Sequence, residues 1–74
     1  MIYDPELGLA IRRLRHSKGV TQEALADRID VSAPTLCSLE HGLTDPPWSR
    51  VRAIARALDV ELDELGAAVE GVAR

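Results

Sequence analysis

The chain is short, rich in Leu and Ala, and acidic overall, with 74 residues, 46% hydrophobic residues and a formal net charge of −3. A domain of this size buries only about 60% of the surface that its unfolded chain exposes, which leaves little room for the deep pocket of an enzyme. No apolar stretch reaches the roughly 20 residues of a membrane span, no secretory signal is evident, and one cysteine excludes an internal disulfide. We therefore expect one helical, cytoplasmic domain without cofactor or metal.

Charge alternates along the chain in four blocks. Residues 1–20 carry +2, residues 21–47 carry −4, residues 48–58 carry +3 and residues 59–74 carry −4. One interpretation is that these blocks are ordinary solvated helix faces. The other is that folding gathers the two basic blocks around one face.

Local end signals divide the chain into helices. Small polar residues cap helix N-termini, Pro suits a first helical position, and Gly follows a last turn. These rules predict three helices in the first half of the chain. Their signals are, in chain order, Asp4 and Pro5, then Gly19, then Thr21, then Ser32, then Gly42.

Two further helices are predicted in the second half. Residues 45–47 read Asp-Pro-Pro, a rigid connector. A fourth helix is predicted from about Trp48 to Leu58, with Trp48 as a core residue, and a fifth from about Glu61 to Glu70. No alternating strand pattern is present, so the fold class is all-α.

The short gap between the second and third helices decides the interpretation. The second helix ends near Ile29 and the third begins near Ala33, so only three residues lie between them. A turn of this length between two short helices is the helix-turn-helix geometry, in which Ala26 would allow the helices to approach. Spacing alone also permits an ordinary helical hairpin.

Several blocks of residues at fixed spacing carry a family pattern. They are Val20-Thr21-Gln22-Glu23-Ala24-Leu25-Ala26, Val31-Ser32, Thr35-Leu36, Leu39-Glu40, Gly42, Pro46 and Ala55 to Leu58. With these blocks, residues 7–66 resemble the Cro/phage-repressor type of helix-turn-helix domain, the XRE-type regulators. The resemblance implies a five-helix, lambda-repressor-like fold in one domain over residues 1–74, with a core over about 5–66 and the helix-turn-helix over 21–41. It also implies double-stranded DNA as partner and, commonly, a homodimer on a near-palindromic operator.

The chain departs from the family pattern at the turn and in a loop. The family usually has Gly where this chain has Asp30, and we expect that residue to be left-handed, which Asp tolerates better than most residues. The family loop after Gly42 is often basic, whereas residues 43–45 here read Leu-Thr-Asp.

The third helix is the recognition helix that the resemblance implies, and its outer side is the third departure. Helical spacing places Leu36, Leu39 and Glu40 inside. The outer side offers a methyl group, a proline ring and a hydroxyl instead of long side chains that make bidentate base contacts, so direct readout is modest. Ala33 and Pro34 are otherwise simply the start of a helix.

Other residues match family positions that touch the DNA backbone. Gln22 is expected to hold a phosphate at the start of the second helix, whereas Thr21 is either a further contact or only a cap. His41 is either a backbone contact or an ordinary exposed histidine. The whole set of predicted DNA-contacting residues is Thr21, Gln22, Ser32, Ala33, Pro34, Thr35, Ser38, His41 and Thr44.

Arg15 and Glu40 each fall four residues after an apolar residue, on the edge of an apolar stripe. A charge in that position needs a partner, and the family commonly pairs these two positions. We therefore expect a structural ion pair between the first and third helices.

The fifth helix continues an apolar pattern beyond the core. Leu58, Leu62, Leu65, Val69 and Val72 follow a 4-3-4-3 spacing typical of a coiled-coil seam. The first three residues can be buried in the domain core, whereas the last two extend beyond it. We expect Leu65, Val69 and Val72 to form a dimer contact. The alternative is a frayed tail.

The sequence therefore favours a sequence-specific DNA-binding regulator, a repressor or controller protein that acts as a homodimer. The alternative is an antitoxin-like module whose main partner is another protein, which the net negative charge favours. No catalytic group or metal site is evident, because Cys37, His16 and His41 lack the further groups that either chemistry needs.

Overall fold

A computed structural model describes residues 5–73, which form five α-helices. The all-α, five-helix prediction is confirmed. Asp4, the predicted cap of the first helix, lies outside the described residues. None of the described helices is both long and apolar enough to cross a membrane. The helices are α1 (Pro5–Ser17), α2 (Gln22–Arg28), α3 (Ala33–Glu40), α4 (Trp48–Ala57) and α5 (Leu62–Ala73).

The predicted side-chain caps of α2 and α3 are both present. The Thr21 hydroxyl accepts a hydrogen bond from the Ala24 backbone N–H at 3.1 Å, and the Ser32 hydroxyl accepts one from the Thr35 N–H at 3.3 Å. Each bond satisfies one of the backbone donors that a helix N-terminus leaves free. These local signals therefore mark both ends of the turn that separates the two helices.

Four helices end in the same way, with a left-handed residue after the last turn. The φ angles are 68° at Gly19, 59° at Asp30, 72° at Gly42 and 56° at Asp59. At Asp30 the backbone N–H bonds to the Asp27 carbonyl, and the next N–H bonds to that of Ala26. The other three ends repeat this pair of bonds, which is the Schellman motif. The prediction for Asp30 is confirmed, whereas Asp59 was not anticipated.

The core lies between all five helices and consists of aliphatic side chains. Ile11, Leu25, Leu36 and Ile54 are its largest fully buried members. α1 packs against α5 and α3, and α2 packs against α3. The recognition-helix candidate is therefore held from behind by two other helices.

Two apolar residues expected in the core are instead exposed. Trp48 begins α4 as predicted, but 62% of its surface is exposed, and Leu62 is 41% exposed. Each is the first residue of its helix, and the residue three positions later, Val51 or Leu65, is the first one that the core covers. The expectation of burial was wrong for both, since the first turn of each helix leaves these side chains outside the core.

Gly8 allows α1 to approach the end of α3 closely. A Cβ atom at this position would overlap the Leu39 carbonyl oxygen and lie 2.8 Å from that of Glu40. Both contacts are with backbone, which cannot move aside as a flexible side chain would. Gly8 therefore sets the distance between α1 and α3, a role that the sequence did not indicate.

Candidate nucleic-acid interface

The α2–turn–α3 unit has the geometry of a helix-turn-helix. Four residues, 29–32, separate the helices, and left-handed Asp30 reverses the chain direction within them. Ala26, in the middle of α2, is 2% exposed and belongs to the same core cluster as Leu36 of α3. A larger side chain at Ala26 would force the two helices apart. The angle of this unit is thus set by one small residue and one strained turn.

α3 has an inner and an outer side, as helical spacing predicted. Leu36, Leu39 and Glu40 are buried. Among the predicted contacts on this helix, Pro34 and Thr35 are exposed, whereas Ala33 and Ser38 are half-buried. Cys37, which was not a predicted contact, is half-buried beside them. Since Ala33 also packs against the core, its methyl group is the least available of the predicted base contacts.

The hydroxyl groups at the start of α3 are already paired with each other. Ser32 Oγ and Thr35 Oγ1 lie 2.8 Å apart, and both residues are exposed. Each hydroxyl keeps unused hydrogen-bonding capacity, because it offers one donor and two acceptor positions. The pair therefore presents a small, ordered polar surface beside Pro34.

His41 and Thr44 lie beyond α3. Nδ1 of His41 donates to the Cys37 carbonyl oxygen at 2.8 Å, since a carbonyl can only accept. That bond uses the proton on Nδ1 and leaves Nε2 at the exposed end of the ring. The Cys37 sulfur lies 3.5 Å from the same Nδ1. Thr44 is exposed in the α3–α4 connection.

Arg15 and Glu40 form a buried, bidentate ion pair between α1 and α3. Arg15 Nε lies 2.8 Å from Glu40 Oε2, and Nη2 lies 3.0 Å from Oε1. The two side chains are 8% and 1% exposed. Arg15 Nη1 also donates to the Val20 carbonyl at 3.0 Å, in the α1–α2 turn. Hydrogen bonding to the Glu40 carboxylate raises the pKa of the Arg15 guanidinium above its ordinary value.

Gln22 joins this ion pair from the start of α2. Its side-chain Nε2 donates to Glu40 Oε1 at 3.2 Å, and the residue is half-buried. Sequence reasoning assigned Gln22 an outward contact only and missed this inward bond. No local sequence pattern indicates the Gln22–Glu40 bond, because the bond depends on the end of α3 lying against the start of α2.

The basic blocks lie on two helices that share α5 as a packing partner and differ in the other one. Arg12 and Arg13 are exposed on α1, whereas Arg52 and Arg56 are exposed on α4. α1 packs against α3 and α5, whereas α4 packs against α2 and α5. Arg28 links α2 to α4, because its Nη1 donates to the Ala57 carbonyl at 3.3 Å.

An apolar groove runs between the start of α4 and one side of α5. Trp48 and Leu62 are exposed along it, and Val69 is half-buried. The groove has a volume of about 330 Å³. Leu65 lies at its floor and is 3% exposed, so its side chain is occupied within the chain itself. Val72, one turn beyond Val69, is half-buried.

Comparison with known proteins assigns this architecture to a class. Residues 6–68 match the helix-turn-helix domain family. The crystal structure of the clp gene regulator ClgR from C. glutamicum superposes with a TM-score of 0.90 at 28% identity, over 97% of this chain and 92% of that one. The restriction-modification controller protein C.AhdI from Aeromonas hydrophila gives a TM-score of 0.77 at 32% identity, over 81% and 91% of the two chains.

A curated relative points to the same class. An HTH-type transcriptional regulator from Methanothermobacter thermautotrophicus is 42% identical over 64 residues, which cover 77% of this chain and 93% of the relative. The chain belongs to the helix-turn-helix family of XRE-type transcriptional regulators, with the lambda-repressor-like fold that its sequence indicated. It is a DNA-binding regulator and not an enzyme.

Proposed function

We propose that this protein acts as a homodimer that binds a near-palindromic operator and represses or adjusts transcription there. The observation that carries the proposal is the outer side of α3, where Pro34, Thr35 and His41 are exposed while the inner side is locked into the core. In helix-turn-helix proteins this outer side enters the major groove, and the first helix of the motif crosses the backbone. The rigid support behind α3 favours such a role.

Contacts with the DNA backbone come from the ends of α2 and α3. Gln22 and the cap residue Thr21 stand at the start of α2, and His41 and Thr44 follow α3. With Nδ1 bonded to the Cys37 carbonyl, Nε2 donates to a phosphate oxygen in the imidazolium form, in which both ring nitrogens carry a proton. Such contacts set the register of the protein on the duplex but carry no sequence information.

Few side chains on α3 are placed for base contacts, and those side chains are short. Pro34 offers an apolar contact for a thymine methyl group, and Ser38 a hydroxyl that several bases accept. The Ser32–Thr35 hydroxyl pair adds one ordered polar group, and the half-buried Ala33 adds the edge of a methyl. We therefore infer that a large share of specificity comes from DNA shape and from the spacing of two half-sites.

Dimerisation through α5 compensates for weak single-site binding. A second copy bound to the first makes the second half-site contact effectively intramolecular. The groove is lined by Trp48, Leu62 and Val69, and Val72 follows one turn later on α5, so we propose that a two-fold partner covers all four. Leu65 supports this seam from within the core rather than across it, since it is 3% exposed.

A gel-shift titration against genomic fragments at two salt concentrations tests the proposal. We expect a few fragments to bind at least about a thousandfold more tightly than the rest, with affinity falling steeply as salt rises. DNase footprints on those fragments should show two related half-sites separated by roughly 34 Å, one turn of the duplex. Uniform binding to all fragments would contradict an operator-specific function.

One observation favours the alternative of a protein-interaction module. Trp48 and Leu43 are 62% and 74% exposed, which is a large apolar surface for a small acidic chain. A partner protein that covers these residues would explain them without dimerisation. Light scattering separates the two readings, because the dimer proposal requires a doubled mass for the pure protein at micromolar concentration.

A further inference from the structure

The bond between Gln22 and Glu40 connects a predicted DNA contact to the interior of the domain. Glu40 Oε1 accepts from Gln22 Nε2 at 3.2 Å and from Arg15 Nη2 at 3.0 Å, and Oε2 accepts from Arg15 Nε at 2.8 Å. The carboxylate side chain is 1% exposed. A carboxylate that is bound in a bidentate way by a guanidinium has one orientation, so Oε1, the atom that accepts from Gln22, is fixed in space.

Fixing one hydrogen of an amide restricts the other. The nitrogen of Gln22 carries two hydrogens in the plane of its amide group. When one is directed at Glu40, the second is confined to the side away from the carboxylate. A glutamine ordered before DNA arrives also loses less rotamer freedom on binding than a free one.

We infer that Glu40 is a positioning residue for DNA binding: it holds the Gln22 amide so that its second N–H meets a phosphate oxygen. The inference rests on the proposed phosphate contact of Gln22. Glu40 itself is buried at the end of α3 and touches no DNA. It therefore has two separable roles, one in the ion pair with Arg15 and one toward Gln22.

Two double variants separate these roles. Arg15→Met/Glu40→Met and Arg15→Met/Glu40→Gln both remove the buried ion pair, and neither leaves a lone buried charge, which is the costly outcome of breaking such a pair. Only the second variant keeps an oxygen at position 40 that can accept from Gln22. Each is made with and without Gln22→Ala, and binding to a 30-base-pair duplex of random sequence at low salt is measured by fluorescence anisotropy.

A random duplex suffices because a phosphate contact carries no sequence information. We expect Gln22→Ala to weaken binding about tenfold, the effect of losing a hydrogen bond to a charged group. The Met/Met variant should bind roughly three- to tenfold more weakly than the Met/Gln variant. In the Gln22→Ala background this difference should shrink below about twofold, because the acceptor then has nothing to position.

The outcomes are distinguishable. Equal affinity of the two double variants in the presence of Gln22, or an undiminished difference in its absence, overturns the positioning role. If Gln22→Ala binds as tightly as the wild type, the proposed phosphate contact itself fails, and the inference fails with it. Thermal melts of every variant verify the fold.

If a double variant does not fold, the wild-type protein supplies the test. Gln22 carries the only side-chain amide in the sequence, so its NH₂ resonances are unambiguous. We expect ¹⁵N relaxation to show this group as ordered as the α2 backbone in the free protein. Mobility equal to that of a glutamine in an unstructured peptide would overturn the inference.

Discussion

Gly8 of α1 lies so close to the carbonyl oxygen of Leu39 in α3 that no side-chain atom fits between them. This approach brings α1 against the last turn of α3 and brings Arg15, two turns further along α1, to Glu40. The position of the recognition-helix candidate thus depends on a residue that has no side chain.

Gly8→Ala should destabilise the protein by about 2 kcal/mol or more, as overpacking does. The methyl group meets backbone, so α1 and α3 must separate. Chemical denaturation measures the loss. Gly66→Ala in α5 is the matched control, because a Cβ there meets nothing within 4 Å. Helix propensity predicts that this change stabilises by roughly 0.5–1 kcal/mol, and equal effects of the two changes would disprove the close-approach argument.

Arg15→Ala should cost about 3–5 kcal/mol of stability, or less if water reaches the site, because it leaves the buried Glu40 without its main partner. Glu40→Ala should cost a similar amount, and the double variant less than the sum of the two. Thermal melts measure all three. Arg12→Ala, at an exposed position on the same helix, is the control and should change stability by less than about 0.5 kcal/mol. Additive losses would mean that the pair contributes no coupling.

Asp30→Gly and Asp59→Gly should each stabilise the protein by about 1 kcal/mol. Both residues have positive φ, a conformation that costs L-residues about 1–2 kcal/mol and glycine almost nothing. Urea denaturation measures the gain. Gly19→Ala, at the equivalent position after α1 with φ of 68° and open space around it, should lose a similar amount. If both aspartates resist replacement, their side chains stabilise the turns in a way that φ alone does not capture.

Val69→Asp with Val72→Asp should give a folded monomer with sharply reduced operator affinity. Both side chains are half-buried on α5, and Val69 lines the groove, so charges there oppose a partner more than they disturb the core. Light scattering reports the mass, circular dichroism the fold and gel shift the binding. Ala67→Asp, at an exposed position of the same helix outside the groove, controls for the effect of an added charge on α5. A double variant that stays dimeric would move the seam elsewhere, and a monomer that binds equally well would remove the need for dimerisation.

The ends of the helices, and the need of two charged residues for a partner, follow from local sequence patterns. Cap residues such as Thr21 and Ser32, and glycines such as Gly19, act through hydrogen bonds within a few residues of the chain, so their effect can be read locally. Spacing indicated that Arg15 and Glu40 each require a partner, because each is a charge on the edge of an apolar stripe, and the resemblance to the family indicated that they pair with each other.

Which apolar residues are buried, by contrast, depends on how the helices pack. Trp48 and Leu62 have the spacing of core residues, but both are exposed at helix starts, and no local pattern shows which positions a neighbouring helix covers. The same holds for the overlap beneath Gly8 and for the bond from Gln22 to Glu40. These contacts join residues 31 or 32 and 18 positions apart in sequence, and they exist only because three helices meet at the end of α3.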